Sequence, residues 1–229
     1  MVERTPHAGA AGAVGGPGAA EHAGSMAGGG PEPAGAGAES AGAGAESAAA
    51  VDVSSAVLSM GSNLGDRRRY LADAVAALGP AVRAVSSVYS TPPWAGSADI
   101  EQDDYLNIVV LADAVPAGTP ANGAAGGVSE PMDWLRVCRQ LETAAGRERG
   151  VRWGPRTLDV DVVAIGQLEL DLPELTVPHP HAGERGFVLV PWAELDPGAE
   201  LPGAGPIADL IAGLEAAGEL EGIRKVGAL

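Results

Sequence analysis

Residues 146–166 constrain the fold of this chain most strongly. They read GRERGVRWGPRTLDVDVVAIG, with a stiff turn at Gly154-Pro155. After the turn, polar and apolar residues alternate, which predicts a half-buried β-strand over about residues 157–165. Side chains two positions apart in a strand lie on the same face, so Asp159 and Asp161 are expected side by side.

The residue types in this segment favour phosphoryl chemistry. The pair of carboxylates is preceded by four arginines: Arg147, Arg149, Arg152 and Arg156. Arginine stays charged and its planar guanidinium matches phosphate oxygens. Two neighbouring carboxylates can hold magnesium, whose other ligands are water and substrate phosphates. The alternatives are a solvated arginine-rich loop and a merely polar strand face.

The other elements predict an α+β fold. In chain order we expect a strand at 53–60, a helix at about 64–78, strands at 81–90 and 105–112, a helix at 132–145, the strand at 157–165 and a terminal helix at about 206–217. This order is the ferredoxin-like βαββαβ pattern, an antiparallel sheet with helices on one face, plus C-terminal additions. Such a fold assigns no activity by itself.

Two segments have low complexity. Residues 1–50 hold one arginine and five glutamates among mostly small residues, so we expect a disordered tail followed by one domain at 51–229. Residues 116–131 are expected to be a flexible insertion. We expect neither a signal nor a transit peptide, and no membrane-spanning segment, because the start lacks their patterns and no apolar run is long enough. Cys138, the single cysteine, suits a reducing cytoplasm, and we expect a cytoplasmic monomer.

The net charge of −16 argues against general nucleic-acid binding. Six arginines nevertheless fall between positions 136 and 156, where an anionic ligand would need them.

Some polar residues allow two interpretations. Asn63 or Asp66 is either a helix cap or a ligand contact. Asn107 either pairs with backbone, which we favour slightly, or reads the edge of a heterocycle. His179 and His181 flank a proline, and an exposed turn is a simpler interpretation than a zinc site.

Five motifs in order resemble the 6-hydroxymethyl-7,8-dihydropterin pyrophosphokinase family of folate biosynthesis: GSNLGD, STPPW, DYLN, RWGPRTLDVDVV and LTVPHPHAGERGFVLVP. They lie within residues 53–197. RWGPRTLD-x-D followed by VPH and RGF is highly specific, whereas GSNLG alone is weak.

The resemblance implies transfer of the pyrophosphoryl group of ATP to the pterin hydroxymethyl group, with release of AMP and with two magnesium ions held by Asp159 and Asp161. It implies catalytic roles for Arg147, Arg156, Asp159 and Asp161. It implies ATP contacts by Glu142, Arg149, Arg152, Trp153, Thr176, His179 and Arg185. It implies pterin contacts by Thr91, Pro92, Trp94, Tyr105, Asn107, Trp153 and Phe187.

The sequence departs from the family pattern at Glu174, where a basic residue is usual, which puts one ATP contact in doubt. On the residues taken without the resemblance, two other functions stay open. A sheet bearing Tyr105 and Phe187 could stack RNA bases, and the D-x-D pair could serve a magnesium-dependent phosphohydrolase or nucleotidyltransferase.

Overall fold

The computed structural model describes residues 51–93, 102–115, 125–147 and 155–229. Its strands are β1 (Ser55–Ser62), β2 (Val82–Val85), β3 (Val88–Thr91), β4 (Tyr105–Asp113), β5 (Asp159–Ile165), β6 (Leu170–Asp171), β7 (Thr176–Val177), β8 (Glu200–Leu201), β9 (Gly205–Pro206) and β10 (Arg224–Gly227). Its helices are α1 (Arg67–Leu78), α2 (Pro131–Ala144), α3 (Gly186–Leu195) and α4 (Ile207–Ala216).

The main sheet is antiparallel, with the order β10-β3-β4-β1-β5 and β2 also paired to β4. Two short hairpins, β6-β7 and β8-β9, lie outside it. The predicted antiparallel α+β class is thereby confirmed, and the specific ferredoxin-like topology stays a prediction.

Helices cover both faces of the sheet. Along β4, Ile108 and Val110 belong to the core that contains the buried sides of α1 and α2. The alternate residues Val109 and Leu111 pack with α3 and α4 instead. Because neighbouring strand residues point to opposite faces, the C-terminal helices form a second layer opposite the first.

Local sequence explains where the first two helices begin. Asp66 caps α1 by accepting a hydrogen bond from the backbone N–H of Arg69 at 3.2 Å. Pro131 opens α2, as suits its fixed φ angle. The buried indole of Trp134 donates to the carbonyl of Val53 at 3.0 Å, which ties α2 to the segment leading into β1.

The expected strand at 81–90 is wrong in one respect, because the segment forms two strands, β2 and β3. The strand is interrupted at Ser86. Its backbone N–H donates to the carbonyl of Val109, and its hydroxyl accepts from the N–H of Val109, both at 2.9 Å. The Ser86 side chain thus accepts the hydrogen bond that a backbone carbonyl accepts in a regular strand.

Part of the predicted insertion at 116–131 is described. Ala125 and Val128 are buried in the α1/α2 core, and Gly126 forms a bridge with Val115. The rest of that prediction, at 116–124, lies outside the described residues, as does the predicted tail at 1–50. Within the described part of the chain, we find no helix with the length and apolar character to cross a membrane.

Candidate active site

The candidate site lies on the sheet face that α3 covers only in part. In register, Gly61 of β1 stands between Asn107 of β4 and Asp159 of β5, and Ser59 stands next to Asp161. The intervening residues of β5 belong to the α1/α2 core, so both carboxylates point to the opposite face. The two-residue spacing read from the sequence therefore places them as expected.

Two arginines hold Asp159. Arg147 donates to Oδ1 and Arg156 donates to Oδ2, each at 2.5 Å. Arg147 also pairs with Glu142 of α2. Glu142 in turn accepts a hydrogen bond from the backbone N–H of Val160 at 3.0 Å. The end of α2 and the start of β5 are therefore joined by one network of charges.

A second pair forms around Asp161. Arg185, which precedes α3, donates to its Oδ2 at 3.1 Å, and Arg185 Nη1 lies 3.4 Å from Nε2 of His179. The backbone N–H of His179 donates to the carbonyl of Val163 at 2.8 Å. Of the two histidines expected in an exposed turn, only His181 is exposed, and His179 is partly buried beside the carboxylate.

Burial shifts the titration of this cluster. It raises the pKa of Asp161, and the neighbouring charge of Asp159 adds to the rise, although His179 and Arg185 oppose it. It also raises the pKa of Glu142, against the N–H of Val160 and the charge of Arg147. It lowers the pKa of His179. The site thus disfavours an isolated negative charge at Asp161 and would gain from a nearby cation.

Asn63 fixes the backbone of Arg156. Its N–H donates to the Arg156 carbonyl at 3.2 Å, and its side-chain oxygen accepts from the Arg156 N–H at 2.8 Å. Its amide nitrogen donates to Gln102 Oε1 at 2.9 Å. Since Asp66 caps α1, Asn63 serves neither as that cap nor as a simple turn residue. The position of Asn63 in the sequence, between β1 and α1, does not predict its pairing with Arg156.

Those of the expected pterin-contacting residues that the structure describes lie at β3 and the residue after it, on β4 and at the start of α3. The side-chain amide of Asn107 donates to Thr91 Oγ1 at 2.8 Å. Its partner is therefore a side chain and not the backbone group that we favoured from the sequence. Burial raises the pKa of Tyr105. The guanidinium carbon of Arg185 lies 5.7 Å from the centre of the Phe187 ring.

Gly61 leaves the space that Asn107 occupies. A Cβ atom at Gly61 would lie 2.8 Å from Oδ1 of Asn107 and 3.6 Å from Cδ1 of Tyr105. The strand expected at 53–60 stops short of this glycine, whereas β1 extends to Ser62 and Gly61 is a strand residue at the centre of the site.

The remaining expected site residues are one residue on a hairpin and four that the structure does not describe. Thr176 is on the β6-β7 hairpin, where its hydroxyl donates to Asp171 Oδ1 at 2.9 Å. Trp94, Arg149, Arg152 and Trp153 lie outside the described residues.

Within the described ranges, no group of three or more His, Cys, Asp and Glu side chains is arranged to hold a metal. The pair Asp159 and Asp161 nevertheless fits magnesium, which takes one or two protein carboxylates and completes its shell with water and phosphate. The raised pKa of Asp161 shows that a positive partner there is favourable.

Curated relatives are similar over most of their length. The chain is 44% identical over 177 residues to a Mycobacterium leprae protein, spanning 71% of this chain and 83% of that one. It is 43% identical over 167 residues to a Mycobacterium tuberculosis protein, spanning 68% and 81%. It is 40% identical over 137 residues to a Bacillus subtilis protein, spanning 58% and 72%. Each is named 2-amino-4-hydroxy-6-hydroxymethyldihydropteridine pyrophosphokinase.

Solved structures share the fold at low identity. A crystal structure of HPPK-DHPS in complex with substrates matches with a TM-score of 0.53 and 10% identity over 74% of this chain. A Plasmodium falciparum HPPK-DHPS structure with pteroate matches with 0.53 and 12% over 75%. This chain spans 45% of each of those chains.

An α+β fold that carries a cluster of arginines and carboxylates is typical of an enzyme that transfers phosphoryl groups. The model of the 7,8-dihydro-6-hydroxymethylpterin-pyrophosphokinase (HPPK) family matches residues 57–197. With this match and the identities above, the chain belongs to that family. The resemblance inferred from the five motifs is confirmed.

Proposed function

We propose that this chain transfers the pyrophosphoryl group of ATP to the hydroxymethyl group of 6-hydroxymethyl-7,8-dihydropterin, giving AMP and the pterin diphosphate, in tetrahydrofolate biosynthesis. Family membership supports the reaction. The observation that carries it in the structure is Asp159 held between Arg147 and Arg156 on the accessible part of the sheet face. This arrangement positions positive and negative side chains before the substrate binds, which suits the transfer of a polyanionic group.

The arginines bind and orient the ATP phosphates. In the described state Arg147 and Arg156 neutralise Asp159, so they are held in place before the substrate arrives. When ATP binds, their guanidinium groups turn from the carboxylate to phosphate oxygens, which offer the same geometry. Arg185 takes the equivalent role beside Asp161, and His179, next to Arg185, is a further proposed phosphate contact. Glu142, Thr176, Arg149, Arg152 and Trp153 complete the proposed nucleotide contacts.

Asp159 and Asp161 would hold magnesium, for which we propose two ions. Magnesium bound there would neutralise phosphate charge and make the acceptor hydroxyl easier to deprotonate. Once the arginines turn to phosphate oxygens, the two carboxylates would be free to hold it, and one of them can accept the hydroxyl proton.

The pterin lies on the β3-β4 side of the site. Asn107 and Thr91, already hydrogen-bonded to each other, present amide and hydroxyl groups to the heterocycle's edge. Tyr105 and Phe187 provide aromatic faces for its ring. Pro92, Trp94 and Trp153 complete the proposed pocket.

Three finer expectations belong to the same proposal. We propose the ferredoxin-like topology, which the order β1-α1-β2-β3-β4-α2-β5 supports if β2 and β3, both paired with β4, are taken as one interrupted strand. The single cysteine, Cys138, is buried and suits the cytoplasm. We propose a monomer that acts on small molecules and has neither a nucleic acid nor a membrane as partner.

Product analysis by phosphorus NMR tests the proposal. The full chain is incubated with ATP, magnesium and 6-hydroxymethyl-7,8-dihydropterin, and a parallel reaction omits the pterin. We expect AMP and a pterin diphosphate only in the complete reaction. Three outcomes would contradict the proposal. ADP with free phosphate, or ATP consumption without pterin, would indicate kinase or hydrolase activity. AMP attached covalently to the product would indicate nucleotidyl transfer.

A further inference from the structure

The C-terminal strap, residues 219–229, runs beside the proposed pterin pocket. It contains β10, which pairs antiparallel with β3 so that Arg224 lies opposite Ser90 and Lys225 opposite Tyr89. Because β3 ends at Thr91, the strap forms the edge of the sheet next to the pterin-facing end of that strand.

Two glycines let the strap approach the pocket closely. A Cβ atom on Gly222 would lie 3.0 Å from Cδ of Pro92. A Cβ atom on Gly186 would lie 2.6 Å from Leu220 Cδ2 and 2.7 Å from Ile223 Cδ1. The strap therefore contacts Pro92 on one side and the backbone just before Phe187 on the other.

Polar contacts anchor the strap on the C-terminal side of these apolar ones. Arg224 pairs with Asp104 at 3.1 Å, immediately before Tyr105. Lys225 pairs with Glu194 of α3 at 3.1 Å. Arg68 of α1 donates to the carbonyls of Val226 at 3.0 Å and Ala228 at 2.6 Å.

We propose that the C-terminal strap is a positioning element that sets the affinity for the pterin; this rests on the proposed function. Pro92, Tyr105 and Phe187 come from three separate segments, and the strap contacts or pairs with a residue at or next to each of them. A flat heterocycle bound between aromatic rings requires those segments at fixed spacing, which supporting residues must hold. No strap side chain needs to touch the substrate.

Gly222→Ala tests the strap, with Gly218→Ala as its matched control. Both glycines have positive φ, +82° and +77°, so alanine strains the backbone similarly at each. Only at Gly222 does the new methyl meet Pro92, because nothing lies within 4 Å of a Cβ on Gly218.

We expect Gly222→Ala to raise KM for the pterin roughly tenfold, below the hundredfold that a misplacement of about 1 Å can cost. KM for ATP and kcat should stay within about twofold of the wild-type values, and Gly218→Ala should leave all three near wild type, because neither change reaches the phosphate side.

Ile223→Ala is a second test variant, and it adds no backbone strain. It removes the side chain that lies against Gly186, and pterin KM should rise with little change for ATP. Ile211→Ala on α4 is its control for lost apolar packing.

Equal pterin KM values in Gly222→Ala and Gly218→Ala, together with an unchanged value in Ile223→Ala, would overturn the inference. So would a parallel rise for both substrates, which indicates general loosening. A wild-type chain that forms no pterin diphosphate would instead overturn the proposed function, and the inference with it.

Discussion

Asp161 is a carboxylate whose surroundings disfavour its charge. Burial and the neighbouring Asp159 raise its pKa, and the ion pair with Arg185 offsets this only in part. The group is therefore poised for a cation rather than required for folding. This separates its contribution to stability from its contribution to activity.

We predict that Asp161→Asn lowers kcat by about a hundredfold or more, since it removes a carboxylate that we propose holds magnesium beside the reacting phosphates. Thermal unfolding in EDTA should give a Tm no lower than that of the wild type, because the variant loses a disfavoured charge. Asp209→Asn, an exposed change on α4, is the control for both measurements. Wild-type turnover in Asp161→Asn would remove this residue from the site.

The same group predicts a pH dependence of stability. Its folded-state pKa lies above the usual value of 3.8, so the stability it contributes is present below that pH and is lost as pH rises through the raised pKa. Urea unfolding of metal-free protein at several pH values above 3.8 should show this loss. It should be smaller in Asp161→Asn, and parallel profiles for the two proteins would contradict the prediction.

Gly61 sets the room available to Asn107. In Gly61→Ala the new methyl would lie 2.8 Å from Asn107 Oδ1, so the amide must move and weaken its hydrogen bond to Thr91. We predict a rise of roughly tenfold in pterin KM, an apparent loss of about 1.4 kcal/mol of binding free energy. Steady-state kinetics at saturating ATP measures it. Gly213→Ala, where a Cβ meets nothing within 4 Å, is the control, and equal KM values in both variants would refute the prediction.

Residue spacing predicted the site only where the partners are close in sequence. Asp159 and Asp161 share a face because they are two apart on a strand, and Arg156 reaches Asp159 three residues away. Asn63 and Arg156 are 93 positions apart, and no local pattern links them. Their pairing follows from β1 lying next to β5 in the sheet, which sequence periodicity does not specify.

At the scale of elements, the predictions at 105–112, 132–145, 157–165 and 206–217 agree with β4, α2, β5 and α4 to within a few residues. Helix α3 was not predicted because GFVLVPWAEL is apolar on nearly all sides and contains Pro191. A helix packed between a sheet and another helix needs no polar stripe, so its sequence lacks helical periodicity. β10 was missed because its residues are all exposed and its pairing is entirely long-range.

Glu194 joins α3, β3 and β10. Burial acts to raise its pKa, but hydrogen bonds from Ser87, Tyr89 and Lys225 outweigh burial and lower it. Desolvation and the Glu194 hydrogen bond raise the pKa of Tyr89 to about 12. One carboxylate therefore receives donors from two strands at the sheet edge.

We predict that Glu194→Gln lowers the free energy of unfolding at pH 7 by about 1 kcal/mol. The variant loses charge-assisted hydrogen bonds, and partial solvent exposure limits the energy that these bonds contribute. Because the folded-state pKa is depressed, this stability is present above the usual pKa of 4.5 and is lost as pH falls through the lowered value. Chemical denaturation at pH 7 and at pH 3 should show the difference between variant and wild type shrinking in acid. A constant difference would assign the loss to packing instead.

At the scale of the whole molecule, the described site contacts and both cores lie within residues 51–229. The family match begins at residue 57 and ends at 197. The segment before residue 51 is rich in alanine and glycine and holds few large apolar side chains. Because such a composition offers little apolar surface for the described cores to bury, we expect residues 51–229 to fold without it.

We therefore predict that a variant lacking residues 1–50 keeps kcat and both KM values within about twofold of the full chain, since catalytic effects require contacts that reach the site. A second variant that also lacks residues 51–58 is the control. It loses the carbonyl of Val53 that accepts from Trp134 and the first half of the central strand β1, so it should fail to fold cooperatively. Circular dichroism melts and steady-state kinetics compare the three proteins. A large loss of turnover in the first variant with an unchanged melting curve would mean that the N-terminal segment takes part in catalysis.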